Sequence, residues 1–467
     1  SGAYPSCGLW PYECRGNCKT GRRALWEVVM GMMEKMTDKL SDIAEVFDNN
    51  KHLNVIKNTF VGTMGFVIVG SFATLFNTIL CNTTTGLARF SALAWLQYLA
   101  PMFTTVNYVT MNLLALMVAV LMGFLYGKKN KVNEMTSALA CLTSYLAVSP
   151  LSTAVTVGEE SVPVSNVLPA ASTNSEALFT AMIVSILAAE LFYRLTKVDK
   201  IKIKMPPQVP ANIANTFNNL IPVAITLFGI AGVGAIVQAS TGMYLTKIIY
   251  TVIQIPLQAV ANTHLGVVAL TFTSLLFWCV GIHGNQLIAP LRSPITAASL
   301  ATNIALVEAG LKPTEPFTGA MWVVFITMTG AGITMSLILS ILAFSKREDY
   351  RAIAKVALVP GIFGVNEPII FGLPIVLNPL MCVPFVLSGC MAAGISFFAC
   401  SCGFLTPNYV SVPWGLPLFL NAFVAYGTWK AIVTQLLILV VCFVIYTPFV
   451  KAADRAWERE QKEAAQG

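Results

Sequence analysis

The chain has 467 residues, of which 56% are hydrophobic and 11% charged, whereas a soluble globular domain carries about a quarter charged residues. That balance excludes a set of soluble domains and indicates a polytopic membrane protein. The net charge of +7 reads as Lys and Arg in loops that set membrane orientation, not as a nucleic-acid surface.

In chain order, residues 1–22 read as a tail without order. They lack the apolar run of a signal peptide. Cys7, Cys14 and Cys18 cluster there, but a metal site would need a fourth ligand and none is evident. The other eight cysteines lie in or beside apolar segments and read as small buried residues. Residues 23–57 hold an amphipathic surface helix: Leu25, Val29, Met32, Met36, Leu40, Ile43 and Phe47 recur at spacings of three and four.

Long apolar segments near 58–80, 106–126, 135–157, 177–196 and 213–238 approach the ~20 residues that cross a bilayer. Lys128, Lys129 and Lys131 follow the second, and Arg194, Lys197, Lys200, Lys202 and Lys204 close the fourth. Loops 81–105 and 158–176 hold no Lys. Positive charge marks the cytoplasmic side, so the N-terminus is expected there. Further candidates lie near 264–281, 319–345, 380–400 and 430–450, and residues 243–262 look interfacial. Lys346, Arg347, Arg351 and the polar tail 451–467 again read as cytoplasmic. The expectation is an all-α polytopic protein of about ten transmembrane helices. It comprises an N-terminal membrane domain at 58–240 and a C-terminal one at 241–450.

Two apolar stretches in the second half are broken by Gly and Pro: "WCVGIHGNQLIAPLRSPI" (278–295) and "VPGIFGVNEPIIFGLPIVLNP" (359–379). Irregular backbone at membrane depth survives only where protein buries it or an aqueous cavity solvates it, and broken segments point to transporter binding sites. Two re-entrant hairpins facing one cavity are expected. Between Val356 and Trp429, Glu367 has no other Asp, Glu, Lys or Arg for company. An intramembrane acid is costly and is a functional candidate by default, although it could equally accept backbone N–H groups at a hairpin tip. Asn366 beside it offers both donor and acceptor. His283 is flanked by Gly281 and Gly284, which let a ligand approach the backbone; a hydrogen-bonded core His is the plainer alternative. Asn285 and Gln286 add amides. Such groups suit a polyhydroxylated ligand, with Trp278 and Trp414 as candidate platforms for a sugar face or as core and interface residues.

"GVNEPIIFGLPIVLNPLM", "WCVGIHGNQ", "MPPQVPANIANTF" and "HLNVIKNTFVGTMGFVIVGS" together resemble the membrane subunit, enzyme IIC, of the sugar phosphotransferase system. The likeness is to its lactose, cellobiose and diacetylchitobiose branch and spans about residues 25–455. The resemblance implies a homodimer formed through the N-terminal half and a sugar site in the C-terminal half. Glu367 and His283 would flank the C6 hydroxyl of a β-linked disaccharide, with Asn366, Gly284, Asn285 and Gln286 around it. Phosphoryl transfer would come from the phosphocysteine of a IIB protein, itself charged by IIA. No phosphocarrier segment is evident, so both are expected on other chains, and the setting is a bacterial inner membrane with both termini cytoplasmic. Neither a cofactor nor a metal is expected: Walker-type and paired-His motifs are absent. A proton-coupled sugar transporter is the rival, since it too would place an acid and a His in a cavity.

Overall fold

A computed structural model describes residues 50–464 apart from 85, 158, 159, 204, 205, 207–210, 374 and 377. The expected amphipathic helix at 23–57 therefore lies almost wholly outside the described residues, as do Cys7, Cys14 and Cys18.

The protein is mostly helical. In the first half, α1 (Lys51–Phe76) starts where the Asn50 side chain accepts from the N–H groups of His52 and Leu53. It is followed by α2 (Leu114–Asn130), α3 (Glu134–Ala147), α4 (Leu178–Thr196) and α5 (Ala211–Thr241). Glu190 near the end of α4 receives Lys51 Nζ and Arg194 Nε at 2.6 and 2.7 Å and the hydroxyl of Tyr126, which ties the ends of α1, α2 and α4 together. One expectation fails here. The apolar run 135–157 is not a single span: α3 stops at Ala147, and β1 (Ser152–Val157) pairs antiparallel with β2 (Glu160–Ser165), Ser152 opposite Ser165. Val and Thr alternate in this stretch, which favours a pleated ribbon over a continued helix.

The second half begins with irregular helix at 245–261, bent by 81° from α6 (His264–Cys279). A turn at 280–283 leads through a short helical turn into α7 (Ala289–Glu308). After a loop come the residues 319–344, then α8 (Thr334–Phe344) within that stretch, α9 (Glu348–Ile362), α10 (Glu367–Gly372), α11 (Pro379–Ser401) and α12 (Trp429–Ala464). Both broken segments are helix–turn–helix stretches, one running from α6 into α7 and the other from α9 into α10, each broken at a turn.

The described residues hold six helices long and apolar enough to cross a membrane, or up to eight if each bent pair counts as one span. Ten was expected. The difference arises because apolar runs do not report where the backbone bends. α3, α6 and α9 have 14, 16 and 15 residues, each short of the ~20 that a straight crossing needs.

The stretch 319–344 departs most from expectation. It reads as one apolar span, yet π-helix at Trp322–Ile326 gives way to a kinked turn with Gly330 at φ +86°, Gly332 at +70° and Ile333 at +53°. The carbonyls freed by the break are taken up from other elements: Tyr446 Oη donates to Gly332 O at 2.6 Å, and Asn366 Nδ2 to Ala331 O at 3.0 Å. Buried polar backbone must be satisfied in this way.

Two hydrophobic cores result. One joins α1, α2, α3 and α4; the other joins elements from α6 to α12. α7 belongs to both: Ile295, with Ile288 just before the helix, lies in the second core, and Ala298, Leu300, Ala301 and Ile304 in the first.

The loop after α7 is clasped by Asn303, which is 0% exposed. Its Nδ2 donates to Glu315 O and Asn408 O, both at 2.8 Å, and its Oδ1 accepts from the N–H groups of Thr314 and Glu315. Asn303→Ala leaves four backbone groups without this partner, where a buried group left unsatisfied costs about 1–3 kcal/mol. After relaxation a net loss of about 3 kcal/mol is expected. A thermal-unfolding midpoint unchanged from wild type would show that the clasp is dispensable.

Candidate functional site

The first tip is built by Gly and by contacts to α6. Gly281 has φ +83°, which lets the chain reverse after Cys279. Gly284 lies against α6 so closely that a Cβ there would stand 1.8 Å from Ser274 O. Asn285 Oδ1 accepts from Ser274 Oγ at 2.8 Å. The N–H groups of Gln286 and Leu287 then donate to His283 O at 3.0 and 3.2 Å. His283 is thus presented on a short, tied turn, exposed, with its ring 4.4 Å from that of Trp278.

The second tip is built alike. Gly364 at φ +82° turns the chain after α9, and Val365 N donates to Pro360 O at 3.1 Å. Asn366 is 5% exposed and inserts beside Gly330, where a Cβ would meet its Cγ at 2.2 Å. Glu367 follows as the first residue of α10, exposed. Pro368 next to it has no N–H to offer the carboxylate.

The two tips meet. The Glu367 carboxylate and the Lys57 ammonium of α1 both lie within electrostatic range of His283. Trp414 joins them: its Nε1 stands 3.5 Å from the Cβ position of Gly364, and Leu418 N donates to Ile362 O at 2.8 Å, so the segment after α11 docks on the second tip. Trp414 is 58% exposed and keeps a free ring face.

The remaining sequence candidates divide by what they touch. Gln286 is exposed beside His283. Asn285 is committed to Ser274, and Asn366 to Ala331. Gly284 serves the contact between hairpin arms. Trp278 is 5% exposed, so its ring backs His283 instead of offering an open platform. Sequence reasoning missed Lys57 and the kinked turn 327–333. Lys57 is a cation inside an apolar helix, and "TMTGAGIT" carries two Gly in an apolar run; either could have been noticed. Among the described residues no group of three His, Cys, Asp or Glu could hold a metal ion.

A family model described as "Phosphotransferase system, EIIC" matches residues 57–389, which include both hairpin tips. The chain belongs to this family. The EIIC chain is 30% identical over 440 residues to the PTS system oligo-beta-mannoside-specific EIIC component of Bacillus subtilis (strain 168), a match covering 93% of this chain and 97% of the relative. It is 27% identical over 491 residues to the PTS system cellobiose-specific EIIC component of Lactococcus lactis subsp. lactis (strain IL1403), covering 92% and 99%. Among solved structures, the crystal structure of the transporter ChbC, the IIC component from the N,N'-diacetylchitobiose-specific phosphotransferase system, superposes with a TM-score of 0.83 at 27% identity. That match covers 90% of this chain and 98% of the other. The EIIC chain is accordingly a sugar permease of the phosphotransferase system.

Proposed function

We propose that the protein binds and translocates a β-linked disaccharide and holds its C6 hydroxyl for phosphorylation by the phosphocysteine of a IIB protein. The observation that carries this reading is the approach of Glu367 and His283 from separate hairpins. An exposed carboxylate without a protein partner among the described residues can accept the hydroxyl proton as the oxygen attacks phosphorus. The imidazole, held by Trp278, can orient that hydroxyl and offset developing charge. Phosphoryl transfer asks mainly for in-line placement and charge stabilisation, which two rigid tips can supply. Gln286 would reach neighbouring hydroxyls, and the open face of Trp414 would carry a sugar ring. Asn366, Asn285 and Gly284 would act by fixing the tips.

The relatives named above handle β-linked sugars or their oligomers by name, which supports cellobiose-like and diacetylchitobiose-like substrates. Family membership favours coupling to phosphorylation over coupling to a proton gradient. IIA and IIB proteins, a homodimer formed through the first half, and a bacterial inner membrane with both termini in the cytoplasm complete the reading. A 6-deoxy disaccharide tests it. The analogue is expected to compete with its parent for binding and to accept no phosphate when phospho-IIB is supplied. Transfer to the analogue would place the chemistry at another hydroxyl.

A further inference from the structure

Among the described residues the Arg292 side chain has no ion-pair partner. It stands in the first turn of α7, its N–H donating to Ile288 O at 2.9 Å, on the hairpin arm that follows the His283 turn. Its guanidinium carbon lies 4.8 Å from the ring centre of Trp322, a residue 3% exposed on the irregular stretch 319–344. Nε is closed off from solvent with no hydrogen-bond partner among the described residues. Among the described residues no carboxylate acts on the group electrostatically. Arg292 as a whole keeps partial exposure, so part of the side chain other than Nε remains reachable.

Stacking on an indole holds the guanidinium plane and offsets part of its charge, but it satisfies none of the N–H donors in that plane. An arginine cannot shed its proton to escape the cost of burial, and a buried charge without a counter-charge is expensive. Among the described residues no acid pairs with Arg292, which leaves its counter-charge to be carried by a ligand. A planar fork of N–H donors matches the two oxygens of a carboxylate or phosphate.

We propose that Arg292 is a subsite for an oxyanion carried by the sugar, either the carboxylate of an acidic β-linked disaccharide or the phosphate of a 6-phosphorylated one, with Trp322 holding the fork in plane. The proposal deepens the permease reading and rests on it.

The test uses the purified full chain in detergent at low salt, titrated by calorimetry with cellobiose, cellobiouronic acid, cellobiose 6'-phosphate and inorganic phosphate. Wild type is expected to bind at least one acidic disaccharide about tenfold more tightly than cellobiose. Which one it prefers decides between carboxylate and phosphate, and inorganic phosphate alone reports whether the sugar is needed. Arg292→Met is expected to erase the preference and leave cellobiose affinity within about twofold; retained cellobiose binding also shows that the variant is folded. Wild type binding both acidic disaccharides no better than cellobiose overturns the subsite without recourse to any variant. Arg292→Met that keeps the preference overturns it as well. Loss of cellobiose binding in wild type, with Arg292-dependent binding of an acidic disaccharide intact, would sink the neutral-disaccharide reading and spare the subsite.

Discussion

Glu367→Gln is expected to lower the rate of sugar phosphorylation by about 10²–10⁴-fold, the range a positioned general base contributes, and to leave disaccharide affinity within a few-fold. The substitution keeps shape and the capacity to hydrogen-bond a hydroxyl but cannot take up its proton. The fold should tolerate it. Glu367 is exposed at the start of α10, and the tip is held by Asn366 on Ala331 and by Gly364, not by the carboxylate. Single-turnover transfer from phospho-IIB, read beside equilibrium binding, separates the two effects. A variant that phosphorylates at the wild-type rate would end the role assigned to Glu367, and one that no longer binds would make it a recognition residue instead.

Gly284→Ala is expected to be worse than any side-chain truncation nearby. Its Cβ would stand 1.8 Å from the carbonyl oxygen of Ser274 and 2.6 Å from that carbonyl carbon. Both atoms are backbone of α6, so no rotamer change relieves the clash. The turn must lift away from α6, breaking the Ser274–Asn285 hydrogen bond at 2.8 Å and carrying His283 with it. Overpacking that moves backbone costs typically about 1–3 kcal/mol, and displacing a reacting group by about 1 Å can cost about 10²-fold in rate. Weakened sugar binding together with a lowered thermal midpoint is the expected pair of readouts. A variant with wild-type affinity would show that the hairpin arms have slack at this point.

Much of the site was legible because membrane burial leaves so few reasons to keep an acid or an imidazole. Glu367 and His283 each stand in a broken apolar run, and that composition alone marks them. Their meeting was legible only by resemblance, since nothing local couples residue 283 to 367. The roles of the neighbours were harder to read. Asn285 and Asn366 look like ligand-facing amides in sequence but spend their hydrogen bonds on Ser274 and Ala331. Gly284 looks like an opening for substrate and is instead filled by Ser274. The break at 327–333 shows in sequence only as two Gly in an apolar run; the partners that satisfy its carbonyls, Asn366 and Tyr446, lie 35 and 114 positions away. The β-hairpin after α3 was missed because a Val- and Thr-rich run is equally apolar as strand or span.

α7 has a mechanical consequence. Its middle, Ala298 to Ile304, is rooted among the helices of the first half, and its opening turns belong to the second. Pro294 lies in those opening turns and removes one rung of the hydrogen-bond ladder. The imidazole therefore rides on a cantilever whose foot stands in the opposite half. Glu367 has no such foot: α9 and α10 contribute Tyr350, Ala354, Ile369 and Ile370 to the second core alone. His283 is nevertheless tied to α6 of that same core through Trp278 and the Ser274–Asn285 bond, so were the halves to shift, α7 would have to flex before imidazole and carboxylate separated.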